Sequence, residues 1–297
     1  MTNVALVPDW VECEPSLPDA PALEAMFRFF GTDVRVRSAN VGLLQHWATV
    51  YGAFRVPPGP AEITVRVTSA ADGPPVPGQV VVEHGDDRRI WQGDGTVFPP
   101  LGVPPLDRWV YLRGAAVARA GRAVLLVGSP HCGKTLLAMA VVARGASLVC
   151  DGLLALDPRD LLLAPFPKTL RLRREVLAQL SIDPAHPALI PFRTRAGTVE
   201  WRADPRMLLG PRAARVAADV GAVVFLEAPT GSGDPQLEPV DPDQAFLRLL
   251  GHLHQRLAAL AMAHGPLAAL SRRVSTFTLS VGSPRQTARL VDEQLLD

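Results

Sequence analysis

The residues Gly128-Ser129-Pro130-His131-Cys132-Gly133-Lys134-Thr135 satisfy the pattern G-x-x-x-x-G-K-[ST] at every fixed position. Each fixed residue has a physical task. The glycines let successive backbone N–H groups turn inward as an anion-binding nest, and the helix that starts at the end of the loop adds the positive end of its dipole. Lys134 would reach the β- and γ-phosphates of a nucleotide, and the Thr135 hydroxyl would ligate Mg²⁺. A pattern with four fixed positions arises by chance in roughly 1% of chains of this size. Gly128, Ser129, Pro130, His131, Cys132, Gly133, Lys134 and Thr135 are therefore expected to form an ATP site. His131 and Cys132 occupy variable positions, and His131 is expected to shape the loop rather than to bind metal.

Such a site needs a second acid at the end of a neighbouring strand to hold Mg²⁺ and its waters. Asp151 ends the strand that follows the loop's helix, and spacing alone leaves it open between metal ligand and turn residue. Lys134 and Lys168 are the only lysines in an arginine-rich chain, which draws attention to Lys168. Lys168, Arg171 and Arg173 alternate with Thr169, Leu170 and Leu172 as a basic strand edge. That edge reads equally as a contact for phosphate or an acidic peptide and as a solvated face. His252 and His254 stand two apart, so on a helix they point in different directions and read as ordinary helix residues. Gly231-Ser232-Gly233-Asp234 reads either as a second loop over the site or as a plain turn. The N-K-x-D motif of a GTPase and the L-S-G-G-Q motif of an ABC ATPase are both missing.

The elements that must position these residues follow from periodicity. Ala123–Val127 is a continuous apolar run of the kind buried in a parallel sheet, and a helix over 135–143 follows, stopped by Gly145. Ala146–Cys150 is the next strand, so strand, loop, helix and strand form a βαβ unit. Strands are also expected at 115–119, 153–156, 161–164, 222–226 and 275–281, and helices at 242–263 and 284–296. Upstream, alternation at 34–37 and 63–67, strand-like runs at 79–83 and 89–92, and a helix at 41–51 suggest a small, mostly antiparallel α+β domain. The prolines at 99–105 mark its end, giving domains over 1–105 and 106–297.

Composition bounds the rest. At 297 residues and 48% apolar, the chain can build two cores. A net charge of +1 argues against nucleic acid and anionic membranes as partners. Three cysteines without a CxxC pair suit a reducing cytosol, and residues 1–18 lack a signal pattern, so a cytoplasmic, soluble protein is expected.

The stretch Gly121-Arg122-Ala123-Val124-Leu125-Leu126, the phosphate loop, Val142-Ala143-Arg144-Gly145, Val149-Cys150-Asp151 and 153–158 together resemble the C-terminal domain of HPr kinase/phosphorylase. They resemble more closely the HPr-kinase-related proteins often found beside peptide-maturation genes. Pro165-Phe166-Pro167-Lys168-Thr169-Leu170-Arg171-Leu172 is similar to a proline-phenylalanine-proline segment of those proteins. The resemblance is specific over 107–175 and diffuse beyond. It implies an α/β P-loop kinase domain, on a fold shared with phosphoenolpyruvate carboxykinase, that uses ATP and Mg²⁺ to phosphorylate a serine on a protein or peptide. Lys134 and Asp151 would be catalytic, with Thr135 and Asp151 at the metal. The resemblance leaves room for a homo-oligomer, which no residue here independently requires.

Two positions depart from that family. Its strand after the loop's helix ends in tandem acids, where this chain reads Asp151-Gly152; its histidine upstream of the loop is replaced by Arg113. Asp157 is the nearest other acid. The alternative is therefore a degenerate kinase that holds nucleotide and uses it to gate a partner.

Overall fold

The computed structural model describes residues 23–68, 78–93, 106–194, 197–227, 234–254 and 256–296. The chain divides into two compact units, Met1–Asp107 and Arg108–Asp297.

The first unit is a five-stranded sheet in the order β1 (Leu23–Phe29), β2 (Thr32–Ser38), β3 (Ile63–Thr68), β4 (Gly78–His84) and β5 (Asp87–Gly93). Neighbours are antiparallel except β2 and β3, which run parallel and are joined through α1 (Val41–Val50). Strand β1 is missing from the sequence-based expectation because its buried residues, Ala25, Met26, Phe27 and Phe29, do not alternate cleanly. In β2 the alternation is strict, with Val34 and Val36 inward and Arg35 and Arg37 outward. The Asn40 side chain caps α1 by accepting from the Leu43 amide at 2.9 Å. Trp47 then packs its ring 5.4 Å from Phe27, closing an aromatic core with Phe29 and Tyr51.

The second unit carries the loop 128–135. Strands β6 (Val110–Leu112), β7 (Gly114–Arg119) and β8 (Arg122–Gly128) lead into α2 (Lys134–Ala143) and β9 (Ser147–Asp151). The two strands expected at 153–156 and 161–164 follow as an antiparallel hairpin, β10 (Leu154–Leu156) and β11 (Leu162–Ala164). Next comes a separate small sheet of β12 (Leu170–Leu172), β13 (Leu189–Arg193) and β14 (Val199–Ala203), with α3 (Arg174–Gln179) and α4 (Pro205–Leu209) around it. The chain returns through β15 (Ala218–Leu226), β16 (Gln236–Pro239), α5 (Pro242–Gly251), α6 (Arg256–Arg273), β17 (Ser275–Ser280) and α7 (Pro284–Leu295). The large sheet runs β6-β10-β11-β15-β8-β7-β9, with β17 also on β15 and β16 on β17.

Strands β8 and β15 are parallel and almost wholly buried, as continuous apolar runs must be when both faces are covered. The βαβ unit has a twist that spacing does not reveal. Strand β7 lies between β8 and β9 and is antiparallel to both, so α2 crosses over it. Helix α2 buries Leu137, Val141 and Val142 against Val124, Leu148 and Val224, and Ala288 and Val291 of α7 join that core.

The expected helix over 242–263 is two helices. Helix α5 ends at Gly251, and residues 252–254 leave it to pair with β6: Leu253 bridges Leu112, the His254 amide donates to the Tyr111 carbonyl at 2.9 Å, and the Arg113 amide donates to the His252 carbonyl at 2.8 Å. The 231–233 stretch and the proline segment at 99–105 lie outside the described residues. Among the described residues, no helix is long and apolar enough to cross a membrane.

One buried acid ties three elements. Asp292 of α7, 4% exposed, receives Arg119 from the end of β7 at 2.6 Å and Arg144 from the end of α2 at 2.9 Å. Asp292→Asn is expected to lose about 1–3 kcal/mol by weakening charge-assisted bonds in a dry setting. Urea denaturation should show a lower midpoint at unchanged slope; an unmoved midpoint would show that the tie contributes nothing.

Candidate functional site

The loop begins where β8 ends. At Gly128 an added Cβ would sit 2.8 Å from both the Cys132 Sγ and the Leu226 carbonyl oxygen, so the first glycine is dictated by close packing. Gly133 has φ +95°, a left-handed conformation that glycine adopts without strain, and it caps α2 with no side chain over the helix end. The amides of the first turn therefore face the loop's interior. His131 also has positive φ, +68°, and its Nδ1 lies 2.7 Å from the Arg173 guanidinium. That contact agrees with a loop-shaping role.

Lys134 curls over the loop: its Nζ donates to the Gly128 carbonyl at 2.9 Å and the Ser129 carbonyl at 2.7 Å. An arriving phosphate would compete with these neutral carbonyls for a strongly hydrated point charge, an exchange that charge favours. Thr135 Oγ1 lies 3.0 Å from each carboxylate oxygen of Asp151. Lys134, Thr135 and Asp151 thus come together as the sequence anticipated. Burial pushes the Asp151 carboxyl above its ordinary range, opposed first by Lys168, then by the Thr135 hydroxyl and Lys134. A divalent cation would relieve that burial cost directly.

The donor set fits Mg²⁺. Magnesium takes one or two protein oxygens and fills its remaining positions with phosphate and water, and Thr135 and Asp151 supply such a pair. Among the described residues, no group of three or more His, Cys, Asp or Glu forms a dedicated metal cage.

Beside the loop lies a cavity of about 340 Å³, lined by residues 128–132 with Leu226, Glu227, Arg248 and His252. Arg248 stacks its guanidinium 4.3 Å from the Phe225 ring centroid and donates to Thr278 Oγ1 at 2.7 Å, so it is held rigidly at the cavity wall. Nothing in the sequence separates Arg248 from the many other arginines.

The position after Asp151 explains the missing second acid. Gly152 has φ +89°, and an added Cβ would lie 3.1 Å from Lys168 Nζ. An aspartate there would strain the left-handed backbone. The Lys168 ammonium packs beside the position at which the resemblance leads one to expect an acid. Asp157 does not replace it: its carboxylate is committed to Arg159, at 3.0 and 2.7 Å, within the turn between β10 and β11. The Arg159 side chain holds the Asp157 carboxyl down at about 2.

His254 is the correction that matters most. The strand-like pairing of residues 252–254 with β6 carries it off the helix and into the neighbourhood of Arg113 and Lys168. Burial, then the positive charges of Arg113 and Lys168, lower its pKa from 6.5 to about 4, so the imidazole stays neutral near pH 7. His252 also leaves the helix and lines the cavity. The sequence signal for this break is Gly251, a helix stop within an otherwise periodic run.

No family model matches the chain, and no curated protein matches it in sequence. Among solved structures, the chain is similar to the Hpr(Ser) kinase/phosphatase from Coxiella burnetii, with 15% identity and a TM-score of 0.32, over 62% of this chain and 86% of that one. A likeness that slight has no bearing on activity.

The His254 environment sets a pH dependence. Its folded pKa lies below its unfolded value, so its contribution to stability is full above pH 6.5 and is lost as pH falls towards about 4. The loss should reach up to about 3 kcal/mol. Asp151, with its pKa raised, works in the opposite sense, so the comparison must be with His254→Gln. Denaturation of the two proteins from pH 7 to 4 should show wild type losing more stability than the variant; parallel curves would refute the assignment.

Proposed function

We propose that this protein is an ATP- and Mg²⁺-dependent kinase that phosphorylates a serine hydroxyl on a protein or peptide. The observation that carries the proposal is the contact of Thr135 Oγ1 with both Asp151 oxygens, made at the mouth of a glycine-capped helix and next to Lys134. Phosphoryl transfer asks the protein chiefly to position two reactants and to neutralise charge. The loop amides and Lys134 would hold the phosphates. Thr135 and Asp151 would hold Mg²⁺, which would supply charge neutralisation to the phosphates. Arg113 and Lys168 would add positive charge on the acceptor side. The serine acceptor and the link to peptide maturation follow from the resemblance over 107–175.

One observation favours a second reading, a degenerate kinase that binds nucleotide and gates a partner. Lys168 fills the space beside Gly152, where the resemblance calls for a hydroxyl-activating acid.

The two readings separate in a transfer assay with γ-labelled ATP, Mg²⁺ and serine peptides encoded by neighbouring genes. The kinase reading expects label on the peptide, reduced at least about 100-fold in Lys134→Ala and Asp151→Asn. Nucleotide binding without transfer to any candidate peptide would favour the gating module.

A further inference from the structure

The small sheet beside the loop has one face in the core and one in solvent. Leu170, Leu172, Trp201, Ala203 and Leu189 point inward. The alternate residues face outward in register: Arg171 opposite Arg202 opposite Ile190, with Glu200 opposite Phe192 in the next row.

That outer face is basic and partly apolar. Phe192 lies between two guanidiniums, 5.8 Å from Arg171 and 4.5 Å from Arg202. Ile190, 57% exposed, adds an apolar side chain to this face near Phe192. Glu200 is the acid of this face; it is paired with Arg171 and lies 3.7 Å from Arg173. Arg171, Arg173 and Arg202 therefore outnumber it. The residual like charge is felt locally: burial and then Arg171 lower the pKa of Arg202.

We infer that this face docks an acidic, extended peptide segment beside the phosphate loop. Arg173, which follows β12, reaches His131 of the loop, so a peptide laid across the face towards β12 runs towards the phosphates. The charge excess selects acidic flanking residues, while Phe192 and Ile190 accept an apolar one. A nucleic acid fits less well, because Glu200 sits within the face and the chain as a whole carries only +1. The inference rests on the kinase reading for the fate of the docked serine but not for docking itself.

Fluorescence anisotropy on the full chain tests it with three labelled probes: a serine peptide flanked by Asp and Glu, the same peptide flanked by Lys and Arg, and a single-stranded DNA oligonucleotide. The acidic peptide should bind best, and its affinity should fall with added salt. It should fall about tenfold or more in Arg202→Glu and in Ile190→Asp, with ADP affinity retained as the control for folding. Lys134→Ala should lose nucleotide and keep the peptide, so failed docking and failed catalysis are distinct results. The inference is overturned by absent or charge-indifferent peptide binding, by preference for the oligonucleotide, or by peptide affinity unchanged in both variants. Self-association that both substitutions abolish would assign the face to a second copy and would overturn it as well.

Discussion

Thr135 and Asp151 meet only because α2 is carried across β7. Strand β9 lies two places from β8, with β7 between, which puts their ends about 10 Å apart in the sheet. A threonine in the first turn of α2 spans part of that gap, and an acid at the last residue of β9 spans the remainder. The construction depends on β7 starting close under its neighbours. At Gly114 an added Cβ would lie 2.7 Å from Leu154 Cδ1 and 2.8 Å from the Leu126 carbonyl oxygen, and the Gly114 carbonyl accepts the Gly152 amide at 2.7 Å. Glycine at 114 keeps β7, β8 and the turn after β9 in one plane. The Asp292 ties to Arg119 and Arg144 fasten the far end of β7 and the end of α2 to α7.

Around Asp151 the structure gathers cations and a neutral imidazole rather than paired acids. Gly152 and Lys168 are two sides of one choice, since the left-handed glycine leaves room for the ammonium. Lys168 in turn offsets the burial of Asp151 and helps keep His254 neutral. A second carboxylate beside Asp151 would raise the cost of ionising both; a lysine lowers it.

What was legible in the sequence is what local pattern encodes. The glycines, Lys134 and Thr135 announce the loop, the apolar run of β8 announces its strand, and the rarity of lysine singles out Lys168. Pairing between segments distant in sequence was not legible. His254 belongs to the site through hydrogen bonds from 252–254 to β6, more than a hundred residues away, and helical periodicity masks the break at Gly251. Of the β12–β14 sheet only the first strand is legible, through the alternation at 168–173. Strand β13 carries Pro191 at its centre, and β13 and β14 are too short to declare a period.

The central claim, that Asp151 and Thr135 hold the metal of a bound nucleotide, is tested most directly by calorimetric titration of ATP with and without Mg²⁺ into wild type and Asp151→Asn. The account predicts that Mg²⁺ tightens ATP binding to wild type and that this gain, though not the loop's own affinity for ATP, disappears in the variant. Absence of ATP binding by wild type, or a magnesium gain undiminished in Asp151→Asn, would contradict it.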